Sequence, residues 1–205
     1  MQGVAVTVLV LISSAVLGYL IAFIAGFGRM SKNALIRRFT IFYIEIFRGT
    51  SLIVQLFWFY FVLFDSSYWA AVMAIALNYG AYMSEIVRGS ILAVPHGQTE
   101  AATALNMSGF QRMRLVILPQ AVRMMLPEFG NYLIQMLKAT SLVSMVSLHD
   151  ITYQGMILRN DYTLTVPVFT SMLIIYFLLA QPLIWLTRWF EKVASKGVAA
   201  NVHHG

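Results

Sequence analysis

The sequence predicts an all-α membrane protein, a bundle of about five transmembrane helices with one polar cytoplasmic loop between its halves. Three observations carry this. Apolar residues make up 60% of the 205 residues and charged ones 11%, against about 45–50% and about 25% in soluble domains; mean hydropathy is +0.75. The apolar residues gather into runs long enough to cross a bilayer as helices, which takes roughly 20 residues. Between two such halves lies Glu100 to Pro119, EAATALNMSGFQRMRLVILP, a polar, partly helical stretch that a soluble partner can grip.

The elements follow in order. Gly3 to Phe27 is a first span without a charge. Leu52 to Phe64 is apolar and reaches spanning length when extended back towards Phe42. Tyr68 to Val87 is a third span, ending near Glu85 and Arg88. Ala121 to Ser147 is a poorer fourth, interrupted by Arg123, Glu128 and Lys138, and Val166 to Leu186 is a clean fifth. Small residues recur every fourth position, as in Gly18, Ala22 and Gly26, in Ala70 and Ala74, and in Ala76, Gly80 and Ser84. That spacing lets helix backbones approach closely in lipid.

Lys and Arg placement gives the orientation, since cytoplasmic links hold the excess of both. Arg29, Lys32, Arg37 and Arg38 follow the first span, Arg112, Arg114 and Arg123 the third, and Arg188, Lys192 and Lys196 the fifth. The opposite side has Asp65 in one link and His149, Asp150, Arg159 and Asp161 in the other. The N-terminus is therefore expected outside, and the C-terminus and the loop from Pro95 to Leu118 in the cytoplasm. The net charge of +6 is dispersed along the edges of apolar runs, which argues against nucleic acid as a partner. With no cysteine, disulfides and thiolate metal sites are excluded. The first apolar run lacks the basic flank of a cleavable signal peptide.

Within the loop, Pro95 ends the preceding segment and Gly97 gives a flexible entry. Thr99 is placed to cap a helix starting near Glu100, whose charge suits the positive end of a helix. Ala101, Ala102, Ala104 and Leu105 favour helix, and Asn106, with Ser108 and Gly109 behind it, stops it in a left-handed turn. Phe110 to Val116 restarts a second short helix, and Pro119 marks the return to the membrane. From the residues alone two readings stand level: a knob that docks a partner, or a loop held on the headgroups by Phe110, Arg112 and Arg114.

This loop resembles the EAA loop of ABC-transporter permeases, with Glu100, Ala101, Ala102, Leu118 and Pro119 in register, Asn106 for the usual Gly and Val116 for the usual Ile. YIEIFRGTSLIVQ (Tyr43 to Gln55), LNYGAYMSEIVR (Leu77 to Arg88) with Gly89, and KATSL (Lys138 to Leu142) resemble further elements of the polar amino acid (histidine/glutamine/arginine) uptake subfamily. Ser51 stands there for Pro and Ala139 for an acid. The resemblance implies a single permease domain over residues 1–205, of the type I importer kind, in a bacterial inner membrane. It also implies a coupling helix at Glu100 to Leu118 entering a cleft on a dimer of ATP-binding subunits, a second permease subunit and an extracytoplasmic binding protein. Members usually carry a polar stretch before the first span, so a slightly longer natural start is expected. No G-x-x-x-x-G-K-[ST] phosphate loop occurs; ATP and Mg are expected on the partner, with no cofactor in this chain and no catalytic or metal site.

Ionisable groups inside spans are costly, about 2.5–3.5 kcal/mol each on insertion scales, so each needs a role. Lys138, followed by Thr140 and Ser141, either braces the bundle through Glu85 or Glu128, or lines the path and attracts a carboxylate. Glu45 with Arg48, and Glu85 with Arg88, are three apart and share helix faces; they are expected as local ion pairs, or as parts of a gate. Asn78, Tyr79 and Tyr82 make a polar aromatic strip, with Asn78 and Tyr82 on one face, fit for a zwitterion. Leu148 to Arg159 reads as a short outer amphipathic helix, with Asp150, Arg159 and Asp161 as candidate contacts for the binding protein. His203 and His204 lie in a polar tail. The expected function is the permease subunit of a binding-protein-dependent importer for an amino acid or related small zwitterion. A secondary carrier driven by an ion gradient is the competing class; it predicts internal repeats, and none is evident between the halves.

Overall fold

The computed structural model describes residues 2–195, and side chains as far as residue 192. His203, His204 and Lys196 lie outside the described residues. The described chain is helical, with no strand. Helix α1 (Gln2–Arg29), α4 (Ser67–Leu92) and α9 (Thr165–Ser195) are its long apolar members. Between them come α2 (Ala34–Gly49), α3 (Leu52–Trp58), α5 (His96–Ala104), α6 (Gly109–Arg112), α7 (Leu118–Ala139) and α8 (Ile151–Tyr162).

Helices α1 and α4 are the centre, and their small residues are the reason they meet. A Cβ on Gly80 would stand 3.2 Å from the Gly18 carbonyl oxygen, and one on Gly26 would stand 3.1 Å from that of Ser84. The glycines thus let one backbone rest against the other, as the four-residue spacing predicts. Around this pair Val10, Ala22, Ala74, Ile75 and Met83 are buried together with Met125, Met136 and Leu137 of α7. Helix α7 follows α4 on one side, and α9 leans on α7 and α8. None of the apolar window of α9 is buried within the chain, so most of its surface is left for lipid or another subunit.

The second segment differs from expectation. Instead of one helix from Phe42 to Phe64, α2 and α3 meet at Thr50 and Ser51 with a bend of 107°, and α3 runs on as a π-helical turn over Phe59–Leu63. By length and composition three helices can cross a membrane, or up to four if the bent pair is one span. The helix behind the expected fourth span, α7, has 22 residues, about 33 Å at 1.5 Å per residue, but Arg123, Glu128 and Lys138 keep it from being uniformly apolar. It ends at Ala139, where the chain tightens into a 3-10 helix over Thr140–Val146, instead of running straight to Ser147.

The break between α2 and α3 is closed by side chains. Gln55 Nε2 donates to the Thr50 hydroxyl at 2.6 Å and to the Phe47 carbonyl at 3.0 Å. Asn78 Nδ2 donates to the same carbonyl at 2.9 Å and to Gln55 Oε1 at 3.1 Å. A helix end inside a membrane leaves carbonyls that no water satisfies, and these two carboxamides supply the missing donors.

Candidate functional site

The loop after α4 forms two short helices, as expected, with different boundaries. Helix α5 begins at His96, with Pro95 as its N-cap at φ −56° and ψ 137°. The helix therefore starts earlier than Glu100, Thr99 is inside it, and Gly97 belongs to its first turn and is no flexible entry. Asn106 adopts φ 56°, the left-handed turn its side chain predicts. The Met107 amide returns to the Ala102 carbonyl at 3.1 Å and the Asn106 amide to Thr103 at 2.9 Å, which closes the end of α5 as a Schellman motif.

Ser108 then starts α6 with a reciprocal capping box. Its Oγ accepts from the Gln111 amide at 3.3 Å, while its own amide donates to Gln111 Oε1 at 2.9 Å. The S-x-x-Q spacing was readable in the sequence as this signal. Helix α6 passes through a π-helical turn, Met113–Ile117, directly into α7, so Leu118 and Pro119 sit in the first turn of that helix and not in a separate return.

Two bonds hold this hairpin as a unit. Arg112 Nη1 donates to the Thr103 hydroxyl at 3.0 Å, and Gln120 Nε2 donates to Gln98 Oε1 at 3.2 Å. Ala102 is buried at the crossing, while Glu100, Ala101, Leu105, Asn106, Gly109 and Phe110 are exposed. Leu105 and Phe110 are 73% and 72% exposed, an apolar tip that nothing among the described residues covers.

The second feature lies between α2, α3, α4 and α7. Asn78, Tyr79 and Tyr82 face a cleft of about 380 Å³ together with Tyr132, Gln135 and Thr50 to Leu52. Tyr79 donates to the Gln135 carbonyl at 3.4 Å, and its ring stands edge-on to that of Tyr132 at 6.1 Å. Beside it, Arg29, Ile44, Glu45, Arg48 and Tyr82 line a cavity of about 400 Å³. Tyr82 is the shared wall of the two.

Ion pairing departs from the local pattern. Glu85 and Arg88 do pair, at 3.1 Å. Glu45 and Arg48 do not; among the described residues Arg48 approaches Glu85 instead, at 3.9 Å, and Arg29 of α1 also pairs with Glu85. Long guanidinium arms reach across helices, so a three-residue spacing on α2 does not fix the partner. Three arginines from three helices thus converge on one carboxylate.

Lys138 is exposed on α7 and pairs with neither Glu85 nor Glu128 among the described residues, so the brace is not made. Thr140 is fully buried and donates to the Leu137 carbonyl at 2.6 Å, away from the cleft walls. Ser141 donates to the Lys138 carbonyl at 2.8 Å. Lys138, Thr140 and Ser141 are therefore not brought together with Asn78, Tyr79 and Tyr82.

On the opposite end of the bundle, α8 replaces the expected Leu148 to Arg159 helix with Ile151–Tyr162. Asp150 is its N-cap, accepting from the Tyr153 amide at 2.8 Å and from the Tyr176 hydroxyl at 3.3 Å. It is 0% exposed, so it cannot meet a docking protein; Arg159 and Asp161 are exposed. Burial pushes the Asp150 carboxyl above the usual carboxylate range, with the Tyr153 and Thr152 amides and the Tyr176 hydroxyl pulling the other way.

An exposed helical hairpin continuous with α7, and a polar cleft within an apolar helical bundle, are the features of a membrane transport subunit. Comparison with known proteins gives the class its family. Residues 5–196 match the family described as "Binding-protein-dependent transport system inner membrane component", and the chain belongs to it. It is 45% identical to the probable amino-acid ABC transporter permease protein y4tF of Sinorhizobium fredii, over 95% of this chain and 87% of that one. It is 38% identical to the histidine/lysine/arginine/ornithine transport system permease protein HisM of Salmonella typhimurium, over 95% and 91%. With the glutamine transport system permease protein GlnP of Escherichia coli K12 the identity is 31%, over 93% and 90%. A solved structure of an amino acid ABC transporter with histidines superposes with a TM-score of 0.87 at 34% identity, covering 93% of this chain and 92% of that one. The methionine transporter MetNI in an inward-facing form shares the fold, with a TM-score of 0.80 at 20% identity. The chain is a multi-pass inner-membrane permease subunit of an ABC importer, and not itself an enzyme.

Proposed function

We propose that this subunit carries an amino acid or a related small zwitterion inward, in complex with a second permease subunit, identical or homologous, two ATPase subunits holding ATP and Mg, and an extracytoplasmic binding protein. The single observation that carries the coupling role is the exposed tip of the α5–α6 hairpin: Leu105 and Phe110 stand clear of the other described residues, on a unit that continues without a loop into α7. Apolar side chains so placed are a docking surface. Glu100 and Ala101 present the rest of the contact, and Ala102, Asn106, Gly109, Leu118 and Pro119 shape it. The hairpin faces the cytoplasm in this reading, the N-terminus is outside and the C-terminus inside. Arg159 and Asp161 on α8 are the contacts offered to the binding protein. The amino-acid substrates of y4tF, HisM and GlnP support the substrate class, and so does a cleft lined by Asn78, Tyr79 and Tyr82.

Purification of the tagged subunit from its native membrane in mild detergent is expected to recover an ATP-binding subunit. Glu100→Lys is expected to remove that subunit and ATP-driven uptake while leaving membrane insertion intact. Uptake that persists when ATP is depleted and the ion gradient kept would overturn the reading.

A further inference from the structure

We propose that Arg48 and Glu45, facing one cavity of about 400 Å³, form a zwitterion site separate from the tyrosine-lined cleft, with Arg48 taking an α-carboxylate and Glu45 an α-ammonium group. The proposal rests on the reading of the chain as an amino-acid permease and adds to it a second place where the substrate stops.

The ion cluster leaves Arg48 to spare. Glu85 Oε2 is hydrogen-bonded by Arg88 at 3.1 Å, and Oε1 is paired with Arg29. Arg48 comes only to 3.9 Å of that carboxylate, beyond the roughly 3.2 Å limit of a good N–H···O bond. Its side chain is 43% exposed, against 30% for Arg29 and 34% for Arg88. Counting Glu45, the cluster holds three guanidinium groups and two carboxylates, an excess of one positive charge.

Tyr82 fixes the guanidinium in a useful attitude. Its ring lies 5.2 Å from the Arg48 guanidinium carbon, and its hydroxyl donates to the Arg48 backbone carbonyl at 3.3 Å. A ring beneath the guanidinium occupies its face and leaves the N–H edge for a planar, two-pronged partner, which a carboxylate is. Glu45, three residues back on α2 and in no ion pair among the described residues, presents the opposite charge to the same space. A zwitterion satisfies both ends; a simple anion satisfies one and sits beside Glu45 at a penalty. Since Tyr82 also walls the neighbouring cleft, a ligand leaving that cleft along its ring arrives at Arg48.

The test uses the purified transporter complex in nanodiscs and arginine modification by butane-2,3-dione, read peptide by peptide with mass spectrometry. Glycine is the probe; acetate, chloride and inorganic phosphate are the comparators. Glycine is expected to slow modification of Arg48 several-fold, acetate less and chloride not at all, with Arg37 on the exposed face of α2 unaffected. In Glu45→Gln the protection by glycine is expected to fall to that of acetate. No protection at Arg48 by glycine, or equal protection by phosphate and chloride, would overturn the proposal, the latter marking a general anion or lipid-phosphate site. ATP-driven uptake is measured on the same preparation. Protection without uptake would count against the transport reading and leave this site standing; uptake without protection would do the reverse.

Discussion

Asn78 of α4 donates one hydrogen bond to the Gln55 side chain at 3.1 Å and another to the Phe47 carbonyl at 2.9 Å, tying the central helix to both sides of the break between α2 and α3. Asn78 is 5% exposed, so its edge lines the cleft while its amide is committed to the fold. Asn78→Ala removes two donors and leaves a buried carbonyl without one of its partners, a loss of about 1–3 kcal/mol. The purified protein should melt lower in detergent. The double variant with Gln55→Ala should cost clearly less than the sum of the two single changes, as expected within one network. A shift in uptake KM with no change in melting would assign Asn78 to substrate alone.

Asn106 holds φ 56° between the two helices of the hairpin. A residue with a Cβ and no polar side chain pays roughly 1–2 kcal/mol there, whereas glycine adopts the same conformation freely. Asn106→Ala should loosen the hairpin and weaken retention of the ATPase subunit in pull-down, and Asn106→Gly should leave it close to wild type. Equal loss in both variants would mean that the Asn106 side chain itself makes the contact.

Asp150 gives a pH dependence whose sign is fixed. Its carboxyl is raised by burial, so the folded state holds the proton more tightly than the unfolded one. Stability from this group is complete below the unfolded carboxylate value and is lost as pH rises through the folded value. Asp150→Asn keeps a good N-cap acceptor for the Tyr153 amide and removes the charge. The wild type should therefore gain melting temperature as pH falls from neutral into the carboxylate range, and Asp150→Asn should show less of that gain. Asp150→Ala, which also lacks the carboxyl, should lie about 1 kcal/mol below Asp150→Asn at every pH through the missing cap.

Much of this was legible in the residues. Helices α1, α4 and α9 each hold an apolar run of spanning length, and composition marks them. The approach of Gly18, Gly26 and Gly80 follows from small residues at one-turn spacing. Asn106 as a left-handed stop was legible because so few residues tolerate that turn. What escaped depends on partners distant in sequence. The bend at Thr50 and Ser51 follows Arg48 and Gly49, a polar interruption that extending the apolar run back towards Phe42 passed over, and only Gln55 and Asn78, far apart in the chain, reveal where its carbonyls are satisfied. Arg48 was assigned to Glu45 by spacing, while its reach takes it towards Glu85 on another helix. Asp150 was read as a contact for the binding protein because it lies in the outer link; its place before Ile151, at the start of a helix, was the sign that it caps instead. Pro95 was read as an ending, although its fixed φ suits a helix start equally well.

The absence of a joint between α6 and α7 has a mechanical meaning. From Phe110 to Tyr132 the chain is helical throughout, about 33 Å at 1.5 Å per residue, with Pro127 inside the membrane half. In the coupling proposed above, a push at the exposed end of such a shaft is carried as sliding or rotation to the tyrosine cleft, where Tyr132 and Gln135 of α7 form part of the wall. The points along this path that can yield are the left-handed turn at Asn106, the π-helical turn at Met113–Ile117 and Pro127, where the helix lacks a backbone hydrogen bond.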